Sequence, residues 1–185
     1  QMEGLMRLKA MAKINLGLDV LGKREDGYHE VRMIMQTIRM YDILDIRKTR
    51  RPGIVLTTNL PFIPTDQRNL VYKAAQMLME EFDVEEGLSI KLRKFIPVAA
   101  GMAGGSSDAA AAFVGVNRMF HLGLTEEQLM ERAVKVGADV PYCIMRGTAL
   151  AEGIGEKLTR LPEVPKCYVL IGKPGINVST KTAYE

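Results

Sequence analysis

The residues best suited to chemistry lie in one segment, Pro97-Val98-Ala99-Ala100-Gly101-Met102-Ala103-Gly104-Gly105-Ser106-Ser107-Asp108-Ala109. Of residues 99–112, twelve of fourteen are Ala, Gly or Ser. Small side chains let the backbone approach a ligand closely, and glycine takes positive φ at no steric cost. Before the segment, Leu88, Ile90 and Leu92 alternate with Ser89, Lys91 and Arg93, which predicts a half-buried strand. After it, the spacing predicts a helix over 106–121. A strand, a glycine loop and a helix N-terminus together turn free N–H groups and the positive end of a helix dipole toward one point. The chemistry on offer is phosphate binding. The competing reading is tight packing of an alanine-rich helix on a sheet, and the two are compatible. No Lys follows the glycines as a Walker A loop requires, and neither G-x-G-x-x-G nor G-x-S-x-G occurs.

Other candidates are isolated. Lys13 interrupts the apolar run Ala12, Ile14, Leu16, Leu18, and strand alternation puts it on the face of Asn15. Asp139, between Gly137-Ala138 and Val140-Pro141, reads on its own as a helix N-cap. Tyr28 and His29 follow the turn dipeptide Asp26-Gly27. Asp108 falls in a first helical turn, where it either caps and faces away or serves the site.

Composition narrows the class. The chain has 185 residues, 47% hydrophobic and 25% charged, which fits a folded domain rather than a disordered chain. The net charge of +3 suits an anionic small molecule and is weak for a nucleic-acid partner, and no basic stripe interleaved with aromatics appears. The densest basic run, 47–51, reads as a solvated turn before Pro52-Gly53. Two cysteines, Cys143 and Cys167, and two histidines make a Cys/His zinc site unexpected; both thiols are expected reduced and buried in a cytoplasmic protein. No stretch is long and apolar enough to span a membrane, and no signal-peptide pattern opens the chain.

The elements that must position these residues follow from periodicity. Strands are expected over 5–21, 31–40, 43–48 and 54–58, then a helix over 69–82 with Asn69 as N-cap. Thr125-Glu126-Glu127-Gln128 is a capping box opening a helix over 126–136. A short helix is expected over 139–145, strands over 148–151 and 157–161, and a last strand over 167–171. Strands precede interleaved helices without strict alternation. The fold class expected is α+β, a mixed sheet with helices packed on one side.

Five motifs, taken together, carry a resemblance. Pro-x3-Gly-x-Ala-Gly-Gly-Ser-Ser-x-Ala over 97–109 resembles the second motif of the GHMP kinase superfamily, with Met102 where leucine is usual. Ala12-Lys13-Ile14-Asn15-Leu16, Asp26-Gly27-Tyr28-His29, Gly137-Ala138-Asp139-Val140-Pro141 and Gly153-Ile154-Gly155-Glu156 are similar to one branch of it. That branch phosphorylates a cytidine-diphosphate ester of methylerythritol in the non-mevalonate route to isoprenoid precursors.

The resemblance implies ATP and Mg²⁺ as cofactors and a substrate with a cytidine diphosphate group. It implies Asp139 as catalytic base and Lys13 beside it, stabilising charge. It implies ATP contacts at Pro97, Ala99, Gly101, Ala103, Gly104, Gly105, Ser106 and Ser107, with adenine between Asn69 and Lys94. Substrate contacts fall to Asn15, Tyr28, His29, Thr180 and Tyr184, and Ser107 is the one protein group placed to meet Mg²⁺. The fold implied is the superfamily's N-terminal domain, which is like a ribosomal-protein domain. It would occupy residues 1–163, with 164–185 the start of an incomplete C-terminal domain that impairs turnover and offers a surface for self-association. A homoserine or mevalonate-type kinase is the runner-up, and a basic nucleic-acid-binding module is a distant third.

Overall fold

The computed structural model describes residues 4–176, 178–179 and 182–183. Its frame is a long antiparallel hairpin, β1 (Met6–Lys23) and β2 (His29–Thr49). Asp26 shapes the turn between them: its carboxylate accepts from the Tyr28 amide at 3.1 Å, while Gly27 takes φ +85°. β2 is the spine of the sheet. Its first half pairs with β5 (Thr148–Gly153) and its second with β4 (Gly87–Arg93), both antiparallel. β3 (Ile54–Thr58) runs parallel to β4, which makes the sheet mixed, and β6 (Lys157–Arg160) borders β5. The order is β3-β4-β2-β5-β6, with β1 along β2.

The sheet buries one face. Leu88, Ile90 and Leu92 of β4 are buried while Lys91 is exposed, as alternation requires. β2 holds a surprise. Its buried residues are Val31, Met33 and Met35 in one half, then Asp42, Leu44 and Ile46 in the other, so the parity flips. The register against β1 steps from Met11↔Tyr41 to Lys13↔Thr37, a bulge that absorbs the flip. This is why alternation predicts two strands, 31–40 and 43–48, where one continuous strand forms.

Among the described residues four helices cover the buried face: α1 (Leu70–Glu81), α2 (Gly104–Met119), α3 (Glu126–Ala133) and α4 (Val140–Met145). Asn69 caps α1, its side chain accepting from the Val71 amide at 2.9 Å. Thr125 and Gln128 complete the capping box of α3, which ends at Ala133 rather than 136. α2 is the hub and touches β1, β2, α1, α3 and α4. It lies close on the sheet because residue 115 is glycine: a Cβ there would sit 2.5 Å from Ile46 Cδ1 and 3.1 Å from Leu8 Cδ1.

Three expectations are corrected. Residues 47–49 belong to β2, and only 50–53 turn. Lys48 is no free surface charge, since its ammonium lies 4.9 Å from the Phe120 ring centroid and 3.3 Å from Glu86. Residues 167–171 form no strand. Tyr168 and Leu170 are fully exposed, and among the described residues no strand pairs with them. Local β propensity without a partner does not make a strand. Cys143 is buried as expected, but Cys167 is exposed.

Candidate active site

The glycine loop leaves β4 and lands on α2. Ala99, Gly101 and Ala103 take φ of +56°, +69° and +55°, three left-handed residues alternating with ordinary ones. Alanine at positive φ is uncommon and persists only where its surroundings enforce it. Successive turns of this kind swing backbone N–H groups toward one concavity. Ala103 gives α2 no side-chain cap, and the first helical bond runs from the Ser107 amide to the Ala103 carbonyl at 2.8 Å. The amides at residues 104–106 therefore stand ahead of the helical ladder, where an anion would meet them.

β1 holds this loop in place. Met102 tucks under it against Ala12 and Ile96, and its carbonyl accepts from the Lys13 amide at 3.1 Å. Ser107 Oγ donates to the Met11 carbonyl at 2.6 Å. Both anchors sit at the β1 bulge. The irregularity that flips the parity of β2 therefore also serves the loop.

The same bulge aims Lys13 inward. Its side chain is 6% exposed, and Nζ lies 4.0 Å from Asp139 Oδ2 and 3.3 Å from Asn15 Oδ1. Lys13 and Asp139 are far apart in the chain, and the fold brings them together. Asp139 stands at the N-cap position of α4, yet its carboxylate caps nothing; only its carbonyl serves the helix, accepting from the Cys143 amide at 3.1 Å. A carboxylate 32% exposed and spared from capping is available to a ligand.

α4 itself is fastened at its far end. The Tyr142 hydroxyl, pushed up to about 12 by burial, donates to the Gly147 carbonyl at 2.7 Å and lies 3.0 Å from Thr37 Oγ1. Gly155, at φ +113°, leaves room beside the acid: a Cβ there would sit 3.6 Å from Asp139 Oδ1 and 3.1 Å from the Met33 methyl. Gly155 is thus part of the wall of the Asp139 site, a role the sequence motif did not disclose.

The remaining candidates fall in three places. Tyr28 is 60% exposed at the hairpin turn, where its carbonyl accepts from the Arg24 amide at 2.8 Å. His29 is half-buried opposite Lys23. Thr180 and Tyr184 lie outside the described residues. Asn69 and Lys94 spend their polar ends on the protein: Asn69 on Val71 and Pro64, Lys94 on Asp42 and Asp108. Beside Asn69 lies an open cavity of about 510 Å³ lined by Leu56, Thr58, Pro61, Phe62, Pro64 and Arg68 among others. Asp108 neither caps α2 nor reaches the surface; it is buried on Lys94. Asp42 was missed from the sequence, although an acid set among Met40, Tyr41, Ile43 and Leu44 was a visible signal.

Comparison with known proteins adds kinship to this geometry. Residues 69–147 match the family described as GHMP kinases N terminal domain. A 4-diphosphocytidyl-2-C-methyl-D-erythritol kinase of Lachnospira eligens is 58% identical over 180 residues, 97% of this chain and 62% of that protein. One of the same name from Caldicellulosiruptor bescii is 55% identical over 180 residues, 97% of this chain and 63% of that protein. A crystal structure of a 4-(cytidine 5'-diphospho)-2C-methyl-D-erythritol kinase superposes with a TM-score of 0.74 at 35% identity, over 84% of this chain and 55% of that one. A homoserine kinase of Cytophaga hutchinsonii, at 19% identity and a TM-score of 0.69 over 88% of this chain and 53% of that one, shares the fold. The chain spans about three fifths of the length of the curated relatives it matches.

Proposed function

We propose that this chain, which carries a GHMP kinase N-terminal domain over residues 69–147, belongs to an ATP-dependent kinase of the 2-hydroxyl of 4-diphosphocytidyl-2-C-methyl-D-erythritol, on the non-mevalonate route to isoprenoid precursors. One observation carries the reading. The Lys13 ammonium stands 4.0 Å from the Asp139 carboxylate, while the Lys13 amide holds the glycine loop. Phosphoryl transfer needs a held triphosphate, a positioned hydroxyl and a compensating charge, and these residues supply all three.

In this mechanism the amides of the loop from Gly101 to Ser107 bind the phosphates, with Pro97, Ala99 and Ala103 shaping their cradle. Asp139 accepts the proton of the acceptor hydroxyl as the new P–O bond forms, and Asn15 orients that hydroxyl. Lys13 offsets the negative charge developing between base and phosphoryl group. Adenine occupies the hollow beside Asn69, near the strand end that carries Lys94. Mg²⁺ entering with the triphosphate would neutralise its charge at the glycine loop. Among the described residues no cluster of three His, Cys, Asp or Glu could hold a metal. Ser107 Oγ, which donates its hydrogen bond to the Met11 carbonyl, would keep lone pairs for that cation.

The cytidine rests on Tyr28 and His29, which the hairpin turn holds together, with Thr180 and Tyr184 as further contacts. We place the domain boundary between residues 163 and 164, the protein in the cytoplasm, and self-association at 164–185; residues 161–175 carry no helix or strand. No nucleic acid and no membrane partner enter the reading, and among the described residues no helix is long and apolar enough to cross a membrane.

A substrate panel tests the assignment. The natural protein containing this chain should consume ATP with the cytidine diphosphate ester and not with homoserine or mevalonate. Turnover of either of the latter in preference would overturn the substrate, and no turnover with any would overturn the kinase reading.

A further inference from the structure

Beneath the glycine loop lies a buried cluster of charge that the proposed reaction does not use. Lys94, at the end of β4, is 9% exposed, while Asp42 of β2 is 0% and Asp108 of α2 2% exposed. Lys94 Nζ lies 2.5 Å from Asp42 Oδ2 and 2.6 Å from Asp108 Oδ2. The other Asp42 oxygen accepts from the amides of Phe95 and Ile96, at 2.5 and 2.8 Å. Asn59 closes the same strand end, accepting from the Lys94 amide at 2.7 Å and donating to its carbonyl at 3.1 Å. The chain that becomes the loop is thus gripped at 94–96, and the helix that ends the loop is gripped at Asp108.

Burying charge is expensive, and a surface-facing lysine would have been the cheaper arrangement. The placement of this one is specific. A Cβ on Gly104 would meet Lys94 Nζ at 3.2 Å, so the ammonium sits directly under the first turn of α2. A side chain there would press on the ammonium and on Ile96 Cγ2, which the Cβ would meet at 3.3 Å. The cluster is also unsaturated: Asp108 Oδ1 is buried and has no hydrogen-bond partner among the described residues.

We propose that Lys94, clamped between Asp42 and Asp108, is a positioning residue for the phosphate loop, locking the end of β4 to the start of α2 and presetting the amides of residues 104–106. It does not touch the nucleotide; it acts through the backbone above it. The role rests on the reading of the loop as a triphosphate site, but the clamp itself does not.

Two measurements test this on the 185-residue chain. In the first, backbone amide resonances are compared between wild type, Lys94→Met and Asp108→Asn. Both variants should shift the Gly104, Gly105 and Ser106 amides and leave the Thr125 and Gln128 amides in place; loop amides unchanged in both would overturn the clamp. In the second, binding of a non-hydrolysable ATP analogue is compared between wild type and Lys94→Met, with cooperative thermal unfolding confirmed. Loss of the ion pair should weaken binding by about tenfold or more; unchanged affinity would overturn the role. If Lys94→Met does not fold, Asp108→Asn decides: it should move the loop amides and weaken binding, and unchanged shifts with unchanged affinity would overturn the clamp. If wild type binds no ATP analogue, the triphosphate reading fails, and the first measurement still judges the clamp.

Discussion

Asp139→Asn in the natural enzyme should lower kcat by ~10²–10⁴-fold, the usual worth of a positioned proton acceptor, and leave the KM for ATP nearly unchanged. Asparagine keeps the shape of the side chain and its place ahead of α4. It cannot take a proton, and it gives Lys13 no charge partner at 4.0 Å. The loop should not notice the change. Its ties to β1, Lys13 amide to Met102 carbonyl and Ser107 Oγ to Met11 carbonyl, do not involve the Lys13 side chain. This separation of effects distinguishes a base from a structural acid. Lys13→Met should also cost kcat, and the double variant should cost much less than the product of the two, because the pair acts as a unit. An Asp139→Asn enzyme with unchanged kcat would remove the acid from the chemistry.

Phe113→Ala should destabilise the fold by about 3–5 kcal/mol, the cost of emptying a large aromatic site in a core that relaxes only in part. Phe113 is fully buried on α2, in the main core. Against a total stability of roughly 5–15 kcal/mol, that loss leaves little margin. α2 is also the helix on which the loop lands and to which Asp108 belongs. Loss of its packing should therefore loosen residues 99–107 before global unfolding. Urea denaturation measures the first effect and amide exchange at Gly104 and Gly105 the second. A midpoint shift worth under ~1 kcal/mol would mean that the site collapses freely around the smaller side chain.

What the sequence disclosed was local, and what it concealed was long-range. The glycine loop, the Asn69 cap and the Thr125 capping box each depend on residues within a few positions of one another, and each forms where the spacing places it. The single β2 strand was hidden because a bulge against β1 reverses its alternation, so a periodic pattern reads as two strands. The strand expected over 167–171 failed for the complementary reason, since its propensity is local but its pairing is not. Nothing in residue types alone joins Lys13 to Asp139. Their meeting was implied by resemblance, and the fold supplies the reason, a bulge that turns Lys13 inward toward the start of α4. The role of Asp108 was open between capping and function; it depended on Asp42, a residue in another strand.

The central claim is that the loop from Gly101 to Ser107 receives phosphates beside the Lys13–Asp139 pair. The most direct measurement follows backbone amide resonances of the 185-residue chain as a non-hydrolysable ATP analogue is added, then CDP. The account predicts that the ATP analogue moves the amides of Gly101, Gly104, Gly105, Ser106 and Ser107, and that CDP moves Tyr28 and His29. An analogue that leaves the loop amides in place, or that shifts only the basic segment 47–51, would contradict it.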